Sequence, residues 1–141
     1  MLSIRIAHGY LVRLDPGEEV LSTLAGFLGR EGVGSASLSG IGAVRGATLG
    51  YYESGARDYV RRELSGEHEI CSFSGSLTWR DGEPFVHAHV VLAGADFVAI
   101  GGHLFEATIS ATGEFWIQTG GVKVERKLDE ALGLKLISRT E

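Results

Sequence analysis

Cysteine and proline are scarce in this 141-residue chain, with one Cys, Cys71, and two Pro. A single thiol cannot form an internal disulfide, which excludes the stapled secreted scaffolds and agrees with a reducing cytoplasm. No apolar run reaches the ~20 residues of a membrane helix. The opening Met1-Leu2-Ser3-Ile4-Arg5-Ile6 also lacks the layout of a signal peptide. The expected location is therefore cytoplasmic, with no membrane partner. Positive charge is in short supply too: 13 Lys and Arg against 18 Asp and Glu leave a net charge of −5. An acidic chain repels phosphate backbones on average, so nucleic-acid binding would need a local basic patch or a separate arm.

What is present is an ordinary globular balance of 44% apolar and 22% charged residues, which sets aside disorder and coiled coil. The length suits one domain over residues 1–141. Glycine is abundant, at 21 residues, and sits among β-branched and aromatic residues. That setting points to turns, bulges and close strand contacts.

One helix is signalled. Asp15-Pro16-Gly17-Glu18 offers an N-cap Asp, a first-turn Pro and a Glu at N3. Val20, Leu21, Leu24, Phe27 and Leu28 then form one apolar stripe, and Gly32 and Gly34 end it. Strands are expected over 4–14, 35–38, 43–52, 59–62, 67–79, 85–92, 98–110 and 114–118. Shorter ones are expected at 122–124 and 134–136, with turns at Asp81-Gly82 and Thr119-Gly120-Gly121. The fold class is α+β: an antiparallel-sheet-dominated single domain with one main helix near the N-terminus.

Chemistry concentrates in Val86-His87-Ala88-His89-Val90 and Gly101-Gly102-His103-Leu104. Side chains alternate along a strand, so His87 and His89 share a face roughly 7 Å apart. On the second strand Ile100 and Leu104 face one way, while Gly101, His103 and Phe105 face the other. A hairpin centred on Asp96 places His89 directly opposite His103, with Cβ atoms about 5 Å apart and His87 on the diagonal. Three imidazoles then converge, as a zinc-type ion requires, with a fourth position open. A lone His-X-His is usually two surface histidines; the third, in register, is what suggests a metal. Gly101 and Gly102 are expected to leave room for the ion or a ligand. A one-residue slip would send His103 to the far face.

Other residues carry weaker signals. Glu69, or Glu67 on the same face, is the candidate catalytic proton acceptor, fourth ligand or supporting carboxylate, although a solvated pair of edge carboxylates is an equal reading. Cys71 has no basic neighbour and is expected to be buried and inert. His68 and His8 read as ordinary, partly exposed residues. Arg57, Arg61 and Arg62, with Arg45 beside them, form the densest basic cluster and read as a solvated strand surface. No nucleophile elbow, P-loop or dinucleotide fingerprint occurs.

The chain resembles the PPC (plants and prokaryotes conserved) domain family. The resemblance is carried by Leu38-Ser39-Gly40-Ile41-Gly42-Ala43-Val44, Leu49-Gly50-Tyr51-Tyr52 and Glu69-Ile70-Cys71-Ser72-Phe73-Ser74-Gly75-Ser76-Leu77. Pro84-Phe85-Val86-His87-Ala88-His89-Val90-Val91-Leu92 and Gly101-Gly102-His103-Leu104 then follow in the family's order. It implies a homotrimer, a stand-alone prokaryotic protein commonly labelled a predicted DNA-binding protein, and a metal site at His87, His89 and His103. Plant members carry an AT-hook, a short Arg-Gly-Arg-Pro arm. No such arm occurs here, since the only Arg-Gly, Arg45-Gly46, continues into Ala47. Net charge and the missing arm both disfavour DNA as a partner. Phe115 and Ile117 are candidates for the trimer interface, or else core. A cupin site also uses His-X-His, but the glutamate expected shortly afterwards is missing from Val90-Val91-Leu92-Ala93-Gly94.

Three functions follow. One is a DNA-binding or regulatory homotrimer carrying zinc or a similar divalent metal ion. Another is a metal-dependent enzyme in which the ion activates water. The last is a binding protein whose metal anchors a small anion or other small polar ligand.

Overall fold

The computed structural model describes residues 1–138. Its elements run β1 (Leu2–Ile6), β2 (Gly9–Leu14), α1 (Val20–Arg30), β3 (Ser35–Glu53), β4 (Asp58–Arg80), β5 (Glu83–Ala93), β6 (Ala99–Gly120), β7 (Glu125–Asp129) and β8 (Leu134–Ser138). The α+β reading holds: the chain is mostly strand with one helix. No helix among the described residues is long and apolar enough to cross a membrane.

The strands pair in the order β1-β2-β6-β3-β4-β7-β8, and β5 pairs with both β4 and β6. Because β3 also pairs with β4 and β6, the long strands β3, β4, β5 and β6 close into a ring. Every pairing is antiparallel except β4–β7, which is parallel. One set of alternating side chains fills the interior, with Val44, Phe73, Leu77, Leu92, Ile109 and Phe115 almost wholly buried. Burial of this apolar surface is the main stabilising term. Helix α1 buries Val20, Leu24, Phe27 and Leu28 and packs on β5 and β6.

Several boundaries differ from the sequence reading. The helix begins at Val20, and its N-cap is Glu19, whose carboxylate accepts from the Leu21 and Ser22 amides. Asp15 to Glu18 form a turn instead. The Asp15 N–H donates to the Glu18 carboxylate at 2.7 Å, while Gly17 bonds to Ile109 on β6 at 2.9 Å and anchors the turn there. The segment 4–14 is a hairpin, broken at Ala7-His8. The separate strands expected at 35–38 and 43–52 are one, as are 59–62 with 67–79 and 98–110 with 114–118. In β3 the expected break shrinks to a bulge near Gly42 (φ +152°), and a second bulge falls near Gly46 (φ +61°) inside the segment read as regular strand; side chains other than glycine resist both conformations. The strand expected at 122–124 falls instead at Glu125–Asp129. Asp81 and Gly82 both have positive φ, as the predicted tight turn requires.

One burial alternative is decided and one burial expectation is overturned. Phe115 and Ile117 take the core alternative, at 0% and 1% exposure: they share a buried face with Val12 and Tyr10 of β2 and Leu38 of β3, the strands that flank this end of β6. The residue between them, Trp116, is the exposed one at 58%. Cys71 is exposed rather than buried. The register shifts between Ile70 and Ser72, so the bulge inserts one extra residue between buried Ile70 and buried Phe73 and turns the thiol outward.

Candidate metal centre

The β5–β6 hairpin has the expected register: His89 lies opposite His103, and Val90 opposite Gly102. Strand alternation then sends Val86, Ala88 and Val90 into the core and the histidines out. His103 sits where two pairings meet, with His89 on one side and Gly50 of β3 on the other. Ring centroids lie 5.0 Å (His87–His103), 5.4 Å (His87–His89) and 5.5 Å (His89–His103) apart. One ring nitrogen from each residue lies within 4.8 Å of those of the other two. A closed tetrahedral site with bonds near 2.1 Å would bring them to about 3.4 Å, a gap within the reach of small side-chain rotations.

The donor set fits such an ion. Nδ1 of His103 is buried and has no hydrogen-bond partner among the described residues, a cost that a bound cation would remove. Burial, followed by the neighbouring His87, His89, Arg61 and Arg126, pushes the His103 pKa down to about 4. Burial first, then Arg126 and His89, lowers that of His87. Both shifts favour neutral imidazole, the form that ligates.

An aromatic wall holds His103 in place. Tyr59 on β4 and Phe105 on β6 pack against it at 5.0 Å and 4.7 Å, and Arg61 lies 3.9 Å above the Phe105 ring. Gly50 makes the wall possible: a Cβ there would overlap the Phe105 ring and sit 3.0 Å from Tyr59. Gly101 and Gly102 serve differently from expectation. Their α-carbons face the Val90 and Gly50 carbonyls, so a Cβ would come within 2.9 Å and 2.8 Å of them. They permit close strand approach and do not open space for an ion.

Residues 2–120 match the family of the Plants and Prokaryotes Conserved (PCC) domain. The chain belongs to this family. Three solved relatives support the assignment. A metal-containing protein from Archaeoglobus fulgidus is 39% identical, with 99% of this chain and 100% of that one covered and a TM-score of 0.86. A plant- and prokaryote-conserved (PPC) protein from Pyrococcus horikoshii is 34% identical, with 100% and 99% covered and a TM-score of 0.87. A protein from Bacteroides thetaiotaomicron, provisionally named DNA-binding, is 25% identical, with 97% and 96% covered and a TM-score of 0.92. No curated protein matches the sequence.

In this PPC chain Glu69 is not brought to the histidines. It pairs with Ala93, four residues from His89 and so about 13 Å away along β5. Its neighbours are Ile41, Cys71 and Glu114, and both it and Glu67 are exposed. His68 is half-buried and His8 is exposed in the β1–β2 turn. Arg45, Arg57, Arg61 and Arg62 all lie on the surface as expected, and Arg61 also stacks on Phe105 of the aromatic wall. Sequence reasoning also missed Arg126, whose Nη2 lies 3.3 Å from Nδ1 of His87. It arrives on β7 through the parallel pairing with β4, which leaves no local signature.

Proposed function

We propose that this PPC-family chain is a homotrimeric metal-binding protein. In this reading His87, His89 and His103 hold one zinc-like divalent ion per chain, and its remaining coordination position receives a small polar ligand. The observation that carries it is the convergence of three imidazoles, each bringing one ring nitrogen within 4.8 Å of those of the other two. The metal-containing relative from A. fulgidus supports it. When bound, such an ion supplies a Lewis-acidic centre. The chain's own residues orient the His103 imidazole through the Tyr59–Phe105 wall, and burial favours the neutral form of His87 and His103.

A trimer is supported by the family resemblance and by Ile41 and Trp116, which are large, apolar and 59% and 58% exposed. Surfaces of that kind mark association sites. Enzymatic water activation is the weaker reading, because no carboxylate lines the cavity at the histidines and Glu69 stands apart. DNA binding rests on relatives that carry that provisional name and runs against the net charge of −5.

Metal analysis of protein purified without chelator tests the proposal. We expect about one zinc-like ion per chain in the wild type and almost none in His103→Ala. Full metal retention in that variant would reject the assignment.

A further inference from the structure

Beside the histidines lies a cavity of about 360 Å³, within the usual size range of small-ligand sites. His87 and His103 form one side of it, and the β7–β8 hairpin forms the other. That hairpin lies outside the residues that match the family. Three cations line the cavity, Arg80, Arg126 and Lys135, and no Asp or Glu does. The charge of Lys135 is taken by Asp81. Neither arginine has a carboxylate partner among the described residues.

Arg126 is the better placed of the two. It is half-buried and gripped at three points. Nε donates to the Thr78 hydroxyl at 2.8 Å, Nη1 donates to the Lys135 carbonyl at 3.1 Å, and Nη2 approaches Nδ1 of His87 at 3.3 Å. Those partners are neutral and occupy three of its five N–H donors, which leaves two donors and a full charge uncommitted. A partly desolvated, uncompensated cation is costly, and a bound oxyanion would relieve it. Flat apolar surface adjoins it: the Phe85 ring lies 3.9 Å from Arg80 and 5.6 Å from Arg126, and Phe105 and Tyr59 close the cavity near His103.

We propose that this cavity recognises a small organic oxyanion, a carboxylate or phosphate ester on a flat apolar body, with Arg126 of the C-terminal hairpin as its main anchor. An anion held there lies next to His87, one of the residues that would hold the metal, and an oxyanion is a suitable donor for such a divalent ion. To that extent the proposal rests on the metal reading, but the Arg126 contact does not need the metal.

Calorimetric titration of the full chain, zinc-loaded and chelator-treated, with benzoate, phenyl phosphate and inorganic phosphate tests it. Benzoate or phenyl phosphate should bind, and whichever binds tighter identifies the head group. Inorganic phosphate, lacking the apolar body, should bind more weakly than phenyl phosphate. Arg126→Gln should weaken binding about 10-fold or more, Arg126→Lys should fall between, and Arg57→Gln should match the wild type. If Arg126→Gln fails to fold, Arg80→Gln and Arg126→Lys decide, each expected to weaken binding measurably. Absence of binding by both aromatic anions, or equal affinity in the Arg126 variants, overturns the proposal. Zinc uptake without anion binding refutes this site alone. Anion binding by protein that takes up no zinc refutes only the metal reading.

Discussion

Arg126 and His87 meet across 39 residues of sequence, with Nη2 3.3 Å from Nδ1. A guanidinium only donates, so Nδ1 must accept and the His87 proton resides on Nε2. A protonated nitrogen cannot ligate, so coordination through Nε2 requires Arg126 to release Nδ1. The arginine thus competes with the metal for the electronic state of one ligand.

Replacing Arg126 by Gln should therefore tighten zinc binding, by about 3- to 10-fold, by removing both the charge and the tautomer constraint. Competition against a chromophoric chelator measures this. Unchanged or weaker affinity would contradict the assigned contact.

Metal-free protein should lose stability as pH falls from about 6.5 toward 4. His103 titrates near 4 in the fold and near 6.5 when unfolded. Across that window the unfolded chain binds more protons, so stability rises with pH and is complete above the unfolded value. Denaturant midpoints of wild type and His103→Gln, compared at several pH values, isolate the contribution. The variant should show the shallower pH slope between 5 and 6.5, and parallel curves would exclude the effect.

Gly50→Ala should disturb the site without touching the imidazoles. The added methyl collides with Phe105 and crowds Tyr59, and overpacking of this kind costs about 1–3 kcal/mol. Thermal melts should report the loss of stability and metal titration a weaker site. A variant with wild-type zinc affinity would show that the aromatic wall does not position His103.

Trp116→Arg should convert the proposed trimer to monomers while leaving the fold intact, because this side chain is 58% exposed and its neighbours Phe115 and Ile117 carry the packing. Light scattering gives the mass and far-ultraviolet circular dichroism the fold. A variant that stays trimeric would remove this face from the interface.

Duplex DNA should bind weakly and with steep salt dependence, given a net charge of −5. Fluorescence anisotropy at two salt concentrations measures it. Tight, sequence-selective binding at physiological salt would restore DNA as a partner.

The histidine trio was legible because two local rules suffice for it. Alternation places His87 and His89 on one face, and a hairpin centred on Asp96 sets His103 opposite His89. The apolar stripe of α1 and its stop near Gly32 follow from an equally local period. Tertiary structure decided what local rules cannot reach. Whether Phe115 or Trp116 faces the core depended on which strands flank β6, and Cys71 was exposed by a single bulge that shifts strand phase. Glu69 shares a strand with the partners of the histidines yet sits at the wrong end of the pairing. Arg126 joins the site only because β7 docks beside β4 in parallel. Spacing along the chain sets the relation between near neighbours, while contacts between distant segments arise from the collective packing of the whole sheet.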